Sequence, residues 1–182
     1  IPGVLITSPV TTEAKITRLI ALHQRAKNLI AVVDNPLTVA AIGASYKVAG
    51  NRNRLALLVD FDVGLHRTGT QNTRMARELA RLISTSAGLR FMGVQAYAGH
   101  LQHIQNFDKR LEDMASQAKH LQQVVFGLQA DGLNPTVVTG GGTGTYDIDH
   151  RFDLFTELQA GSYVFTDVQY NAVQLNPEST QL

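Results

Sequence analysis

The run Leu55-Ala56-Leu57-Leu58-Val59-Asp60-Phe61 decides the fold. An almost unbroken apolar stretch of this length reads as a strand covered on both faces, the situation of a strand in a parallel sheet. Its flanks support that reading. Upstream, Gly3 to Thr7 and Leu29 to Val33 are shorter apolar runs. Between them, Thr11 to Asn28 repeats apolar residues at Ile16, Leu19, Ile20 and Ala26, near helical spacing. Thr11 and Thr12 are candidate N-caps there, and Glu13 sits favourably in the first turn. Asn35-Pro36 opens a second helix to about Val48, proline suiting a helix start. Downstream come a helix from about Asn72 to Thr85, a strand from Phe91 to Tyr97, and a long helix from Asp108 to Ala130. That helix carries Leu111, Met114, Ala115, Ala118, Leu121 and Val125 on one stripe. Thr136 to Thr139, Leu154 to Leu158 and Tyr163 to Phe165 read as further strands.

Strands alternating with helices predict an α/β fold with a parallel sheet. Five or six β/α units fit in the 182 residues, whereas a closed (β/α)8 TIM-type barrel takes about 250. The chain is therefore a shorter open sheet or part of a barrel. Ile1-Pro2-Gly3 leads straight into Val4-Leu5-Ile6, without the charged segment and long apolar stretch of a signal peptide. This abrupt start favours the partial barrel. The tail, Asn176 to Leu182, carries no recognisable element. No internal repeat, low-complexity segment or linker divides the chain.

Composition narrows the function. At 44% hydrophobic and 17% charged, the chain can bury one sizeable core and is neither disordered nor collagen-like. It has no cysteine. That excludes a disulfide framework, a thiolate metal site and a cysteine nucleophile, and it fits a reducing, cytoplasmic setting. Sixteen basic against fifteen acidic residues leave +1, which gives no electrostatic case for nucleic acid or an anionic membrane. No run approaches the roughly 18 apolar residues of a membrane span. A small molecule is the expected partner.

Four segments can carry chemistry. Thr139-Gly140-Gly141-Gly142-Thr143-Gly144-Thr145 follows a strand directly. Glycines let backbone N–H groups approach a phosphate, and threonine hydroxyls add donors. Ligands on parallel α/β scaffolds sit at the strand C-termini, so anion binding is favoured over a flexible turn. Asp60-Phe61-Asp62-Val63-Gly64-Leu65-His66-Arg67-Thr68-Gly69 delivers two acids, then His and Arg, into a glycine-bounded loop. Arg67 suits a phenolate, carboxylate or phosphate; alternatively it pairs with Asp60 or Asp62 in a structural ion pair. Gln95-Ala96-Tyr97-Ala98-Gly99-His100-Leu101-Gln102-His103 crowds polar and aromatic groups at a strand end. Its two histidines lack a carboxylate at metal-site spacing, which speaks against a metal. Tyr97 is core packing or a face for a flat ring. Glu157-Leu158-Gln159-Ala160-Gly161-Ser162-Tyr163 again offers backbone donors.

Taken together and in this order, the segments resemble the fold-type III pyridoxal-phosphate enzymes, the alanine racemase-like barrels. Within these the nearest likeness is the group of D-threonine aldolase, D-serine dehydratase and 3-hydroxy-D-aspartate aldolase. Leu5-Ile6-Thr7-Ser8-Pro9-Val10 and Val33-Asp34-Asn35-Pro36 take part as well, so the likeness spans essentially the whole chain.

The resemblance implies a (β/α)8 barrel holding pyridoxal 5'-phosphate at its mouth, with five to six units in this chain. It places Arg67 near the cofactor's phenolic oxygen and Tyr97 beside the pyridine ring. Gly141, Gly142 and Thr143 fall on the phosphate loop, and Gly161 and Ser162 on a second set of backbone donors. Gln159 falls where the racemases have an arginine near the pyridine nitrogen; a neutral Gln cannot favour a protonated ring nitrogen as a carboxylate would. The family's Schiff-base lysine belongs to the first barrel strand, expected upstream of Ile1. None of Lys15, Lys27, Lys47, Lys109 or Lys119 matches it. A divalent metal is also implied, with ligands in a C-terminal β-domain beyond Leu182 and none in this chain. The chain, residues 1–182, is thus expected to be the central part of a lyase for β-hydroxy D-amino acids, homodimeric when whole and inactive as this piece. Two alternatives stand beside the aldolase: a D-serine dehydratase-type deaminase, and a non-catalytic carrier barrel for the same cofactor. A generic phosphate-binding α/β protein is the reading without pyridoxal chemistry.

Overall fold

The computed structural model describes residues 3–26, 28–50, 53–165 and 167–175. Ile1-Pro2, Lys27 and the tail from Asn176 to Leu182 lie outside that set. Six strands run in one parallel sheet in chain order: β1 Val4–Ile6, β2 Leu29–Val33, β3 Leu55–Asp60, β4 Leu89–Ala96, β5 Val137–Gly140 and β6 Glu157–Leu158. Helices α1 Glu13–Arg25, α2 Pro36–Val48, α3 Thr73–Thr85 and α4 Phe107–Ala130 carry the chain between the first five strands. Such sequential, helix-linked parallel strands are the units of a (β/α) barrel.

Local chemistry sets the helix starts. Asn35, Asn72 and Asn106 each accept an N-terminal N–H of α2, α3 and α4, respectively. Thr12 occupies the α1 N-cap position without a side-chain bond, and α1 ends at Arg25 rather than Asn28 because Ala26 turns extended. On α4, Met114, Ala118, Leu121 and Val125 are buried, but Ala115 is exposed. Phe107, Val124 and Leu128 complete the apolar face instead.

The sheet has two buried faces with different contents. Leu55, Leu57 and Val59 join the apolar faces of the helices in one core cluster. Ala56 and Leu58, equally buried, point to the other face, which is the barrel interior. On β4, Leu89 sits on the helix side, and so do Val94 and Ala96. That parity is possible because Leu57 pairs with Phe91 while Leu58 pairs with Gly93, leaving Met92 as an extra residue. This bulge turns the end of β4 over and sends Gln95 inward beside Asp60 and Thr139. Gly93 permits it: a Cβ there would lie 1.7 Å from the Val137 carbonyl oxygen of β5.

One hydrogen bond shows the curl. Gln95 Nε2 donates to the Thr7 carbonyl, at 3.0 Å, although β1 and β4 are three strands apart. In a flat sheet that separation is about 14 Å.

Two strand expectations are corrected. Tyr163 to Phe165 is not a strand: Ser162–Val164 forms a 3-10 turn, and Tyr163, Val164 and Phe165 are all exposed. Leu154 to Leu158 contracts to Glu157–Leu158. Asp153 is left-handed (φ +53) and Phe155 turns onto the core, so the strand begins only at Glu157, after the Thr156 N–H has bonded the Val138 carbonyl. Two short helices, α5 Tyr146–Asp149 and α6 Val168–Asn171, had no apolar period to announce them.

Candidate active site

The C-terminal ends of β3 to β6 carry a connected polar layer. Asp60 is buried and accepts from Thr68 Oγ1 (2.7 Å) and Gln95 Nε2 (2.9 Å). Gln95 Oε1 accepts from Gln159 Nε2 at 3.1 Å, and the same Nε2 donates to Thr139 Oγ1 at 3.2 Å. Five side chains from four strand ends are thereby held in one layer. Burial pushes the Asp60 carboxyl up, against the lowering effect of the Thr68 and Gln95 bonds.

Above this layer lies the loop after β3. Asp62 accepts the N–H groups of Gly64 (2.9 Å) and His66 (3.0 Å) and contacts the His66 ring nitrogen at 2.8 Å. Burial works to raise this carboxyl, but those contacts outweigh it and hold it below the usual range. Arg67 has no ion pair among the described residues, so the anticipated bridge to Asp60 or Asp62 is not formed. Its guanidinium instead lies 5.7 Å from the centroid of the Tyr97 ring. Tyr97 is half-buried, and burial raises its hydroxyl pKa. Gly99 leaves room for that ring: a Cβ there would meet Tyr97 Cε1 at 2.6 Å. His100 is exposed overall, but desolvation of the part of its ring that is covered lowers its pKa. His103 packs edge-on against Tyr170. Among the described residues no three His, Asp or Glu side chains group to hold a metal ion.

The glycine loop after β5 is clamped from below. Gly141 is left-handed (φ +60), a conformation that glycine adopts without strain. Gln102, 1% exposed, accepts the Gly144 N–H at 2.8 Å and donates to Thr145 Oγ1 and the Ala98 carbonyl, both at 3.2 Å. Asp149 accepts from Thr145 Oγ1 at 2.9 Å and from the Gly142 N–H at 3.4 Å. Burial, with neighbouring Asp147, pushes the Asp149 pKa up to about 7. The acid beneath the loop therefore stays neutral to about that pH, which suits an anion above it. Thr143 Oγ1 accepts the Gly161 N–H at 3.2 Å, tying this loop to the segment after β6. Gly161 borders open space, and Ser162 beside it is half-buried.

The structure thus brings Arg67 and Tyr97 together, and separately Gly141, Gly142, Thr143, Gly161 and Ser162, with Gln159 in the layer below. Gln95, Gln102, Thr145 and Asp149 join them as supports. Asp149 follows the loop closely in sequence but carries no motif, and Gln102, 42 residues before Gly144, is revealed only by its closeness in space. The groove of about 490 Å³ between α1 and α2, lined by Ile20, Ala21 and Val48 among others, is on the outer surface, away from this layer.

The model of the alanine racemase N-terminal domain matches residues 5–168. This chain belongs to the alanine racemase N-terminal-domain family. Among relatives of this alanine racemase-type chain, a 3-hydroxy-D-aspartate aldolase of Paracoccus denitrificans (strain Pd 1222) is 33% identical over 173 residues, 95% of the chain and 44% of that protein. A D-threonine aldolase of Arthrobacter sp. is 33% identical over 172 residues, covering 94% and 45%. A D-threo-3-hydroxyaspartate dehydratase of Delftia sp. (strain HT23) is 27% identical over 155 residues, covering 85% and 40%. The crystal structure of D-threonine aldolase from Filomicrobium marinum superposes with a TM-score of 0.91 at 30% identity, covering 96% of this alanine racemase-type chain and 46% of its own. The chain spans under half the length of these relatives, and the six-stranded curled sheet is the corresponding part of the barrel. No helix among the described residues is long and apolar enough to cross a membrane.

Proposed function

We propose that this chain is the central part of a pyridoxal 5'-phosphate-dependent lyase that cleaves β-hydroxy D-amino acids to glycine and an aldehyde, as a D-threonine aldolase does. The observation that carries the reading is that the same, C-terminal end of the strands holds a clamped glycine loop after β5 and an arginine lying over an aromatic ring after β3 and β4. The donor set suits the cofactor. The Gly141–Thr143 and Gly161–Ser162 segments would hold its phosphate through the N–H groups of Gly141, Thr143 and Ser162, since those of Gly142 and Gly161 are given to Asp149 and to Thr143 Oγ1. Arg67 would face its phenolic oxygen, Tyr97 its ring and Gln159 its ring nitrogen. When bound, the cofactor supplies the electron sink for the breaking bond. The chain's own residues would bind and orient it: the glycine loop at the phosphate end, and the Arg67–Tyr97 pair at the ring.

The described lysines Lys15, Lys47, Lys109 and Lys119 all lie on outer helices, not on strand ends. Following the resemblance, the lysine that links to the cofactor is assigned to a first strand outside this chain. The ligands of a divalent metal are assigned to a C-terminal β-domain, also outside it. The whole protein is proposed as a cytoplasmic homodimer acting on a small D-amino acid. Because a related protein is a dehydratase, water elimination with deamination is the second reading.

The test is the full-length protein's visible spectrum and its products from D-threonine. A visible band abolished by borohydride, with release of glycine, supports the aldolase reading. A band with a 2-oxo acid and ammonia as products moves the assignment to the dehydratase. The absence of any band overturns the pyridoxal reading. The 182-residue chain alone is expected to release no glycine; measurable release would refute the assignment of the lysine to an outside segment.

A further inference from the structure

The hydrogen bonds of the polar layer leave little freedom in how its two glutamines are oriented. The Thr7 carbonyl has no proton to give, so the end of Gln95 facing it at 3.0 Å is the amide nitrogen. The same nitrogen reaches Asp60 Oδ1 at 2.9 Å. The orientation of Gln95 holds whether Asp60 is charged or neutral, since the Thr7 carbonyl alone determines it. Gln95 Oε1 is consequently the end turned to Gln159. An acceptor there requires a donor opposite, so the Gln159 atom 3.1 Å away is its Nε2. Thr139 Oγ1, which can accept, takes the second proton of that nitrogen at 3.2 Å. Both protons of Gln159 are thereby committed to the layer. Its Oε1 takes no partner among the described residues and is not one of the enclosed unpaired atoms.

We propose that Gln159 offers the mouth an acceptor only, so that the ligand atom seated against it is a donor: for bound pyridoxal phosphate, a ring nitrogen that carries its proton. This deepens the function proposed above and rests on it. Gln159 is the residue in contact, while Gln95 and the Thr7 carbonyl are positioning groups that set its polarity. A rotated Gln159 amide would set two carbonyl oxygens 3.1 Å apart and leave a buried acceptor facing another. The neutral amide holds the ring proton less firmly than a carboxylate would, yet in the same direction.

The experiment loads the full-length protein with ring-¹⁵N pyridoxal phosphate and follows the ring nitrogen by NMR across pH. The phosphorus signal serves as an independent record of cofactor binding. The wild-type ring nitrogen is expected to be protonated near neutral pH. Gln159→Leu, which removes the acceptor, should lower its titration midpoint by about one pH unit or more. Gln159→Glu, which keeps acceptors in place, should restore or raise it, and a merely structural role would not produce that pattern. An unprotonated nitrogen in the bound wild type, or an unchanged midpoint in Gln159→Leu, overturns the polarity assignment and leaves the function standing. Failure of the wild type to bind the cofactor at all overturns both.

Discussion

Replacing Gln102 with leucine removes one buried amide and leaves its volume nearly filled. That amide makes three hydrogen bonds and is 1% exposed, so water does not substitute. The partners do not suffer equally. Thr145 Oγ1 keeps its bond to Asp149, and the Ala98 carbonyl keeps the N–H of Leu101 at 3.1 Å. Each of those two losses costs about 1 kcal/mol. The Gly144 N–H is orphaned, at a cost of roughly 1–3 kcal/mol. The sum is about 3–5 kcal/mol, a large part of a typical total stability of about 5–15 kcal/mol. The same change frees the glycine loop from the segment bearing Tyr97. Cofactor affinity should therefore fall at least about tenfold, equivalent to about 1.4 kcal/mol. Urea unfolding of the full-length protein, with and without pyridoxal phosphate, measures the first effect, and spectral titration the second. An unfolding midpoint equal to wild type, with affinity within about twofold, would refute the clamp. Gln102→Glu retains the acceptor for Gly144 but loses both donations, so it should lie between wild type and leucine.

Three further outcomes are expected. Gly93→Ala places a methyl group 1.7 Å from the Val137 oxygen. The β4–β5 pair must part, which should cost about 3 kcal/mol in chemical denaturation; a loss under about 1 kcal/mol would show that the bulge yields freely. For Asp149, the folded carboxyl keeps its proton to about pH 7, while an unfolded one releases it near 3.8. Between those values the folded state binds more protons, so stability falls as pH rises through that window and then levels. Asp149→Asn should remove this decline and gain stability over wild type by a few kcal/mol at pH 8 relative to pH 4; parallel wild-type and variant pH–stability curves would contradict the burial argument. Arg67→Ala should weaken cofactor retention in equilibrium dialysis of the full-length protein, and unchanged affinity would remove Arg67 from the site.

The parallel α/β architecture was legible because Leu55 to Phe61 and the 3.6-residue stripes are strong, local signals. The glycine loop was legible for the same reason: four glycines directly after a strand admit few structural roles. The segment Tyr163 to Phe165 reads as a strand because Tyr, Val and Phe favour strands wherever they occur, and nothing local shows that they stay exposed in a turn. Arg67 was legible as a free cation or as half of an ion pair, and only the fold decides, by giving Asp60 and Asp62 other partners. The supports were out of reach for a deeper reason. Gln102 and Thr145 are 43 residues apart, and Gln95 and Thr7 88 apart; no periodicity links such pairs. The inward turn of Gln95 depends on one unpaired residue, Met92, that leaves no mark in composition.

That unpaired residue makes strand length a part of the site's specification. Removing one residue between Leu89 and Gly93 would exchange the two sides of everything that follows up to Ala96. Val94 and Ala96 would then line the mouth, and Gln95 would be pressed among the helices. A polar floor would become an apolar plug although every remaining side chain keeps its identity. In this segment, evolution and engineering are accordingly free to vary identities more readily than spacing.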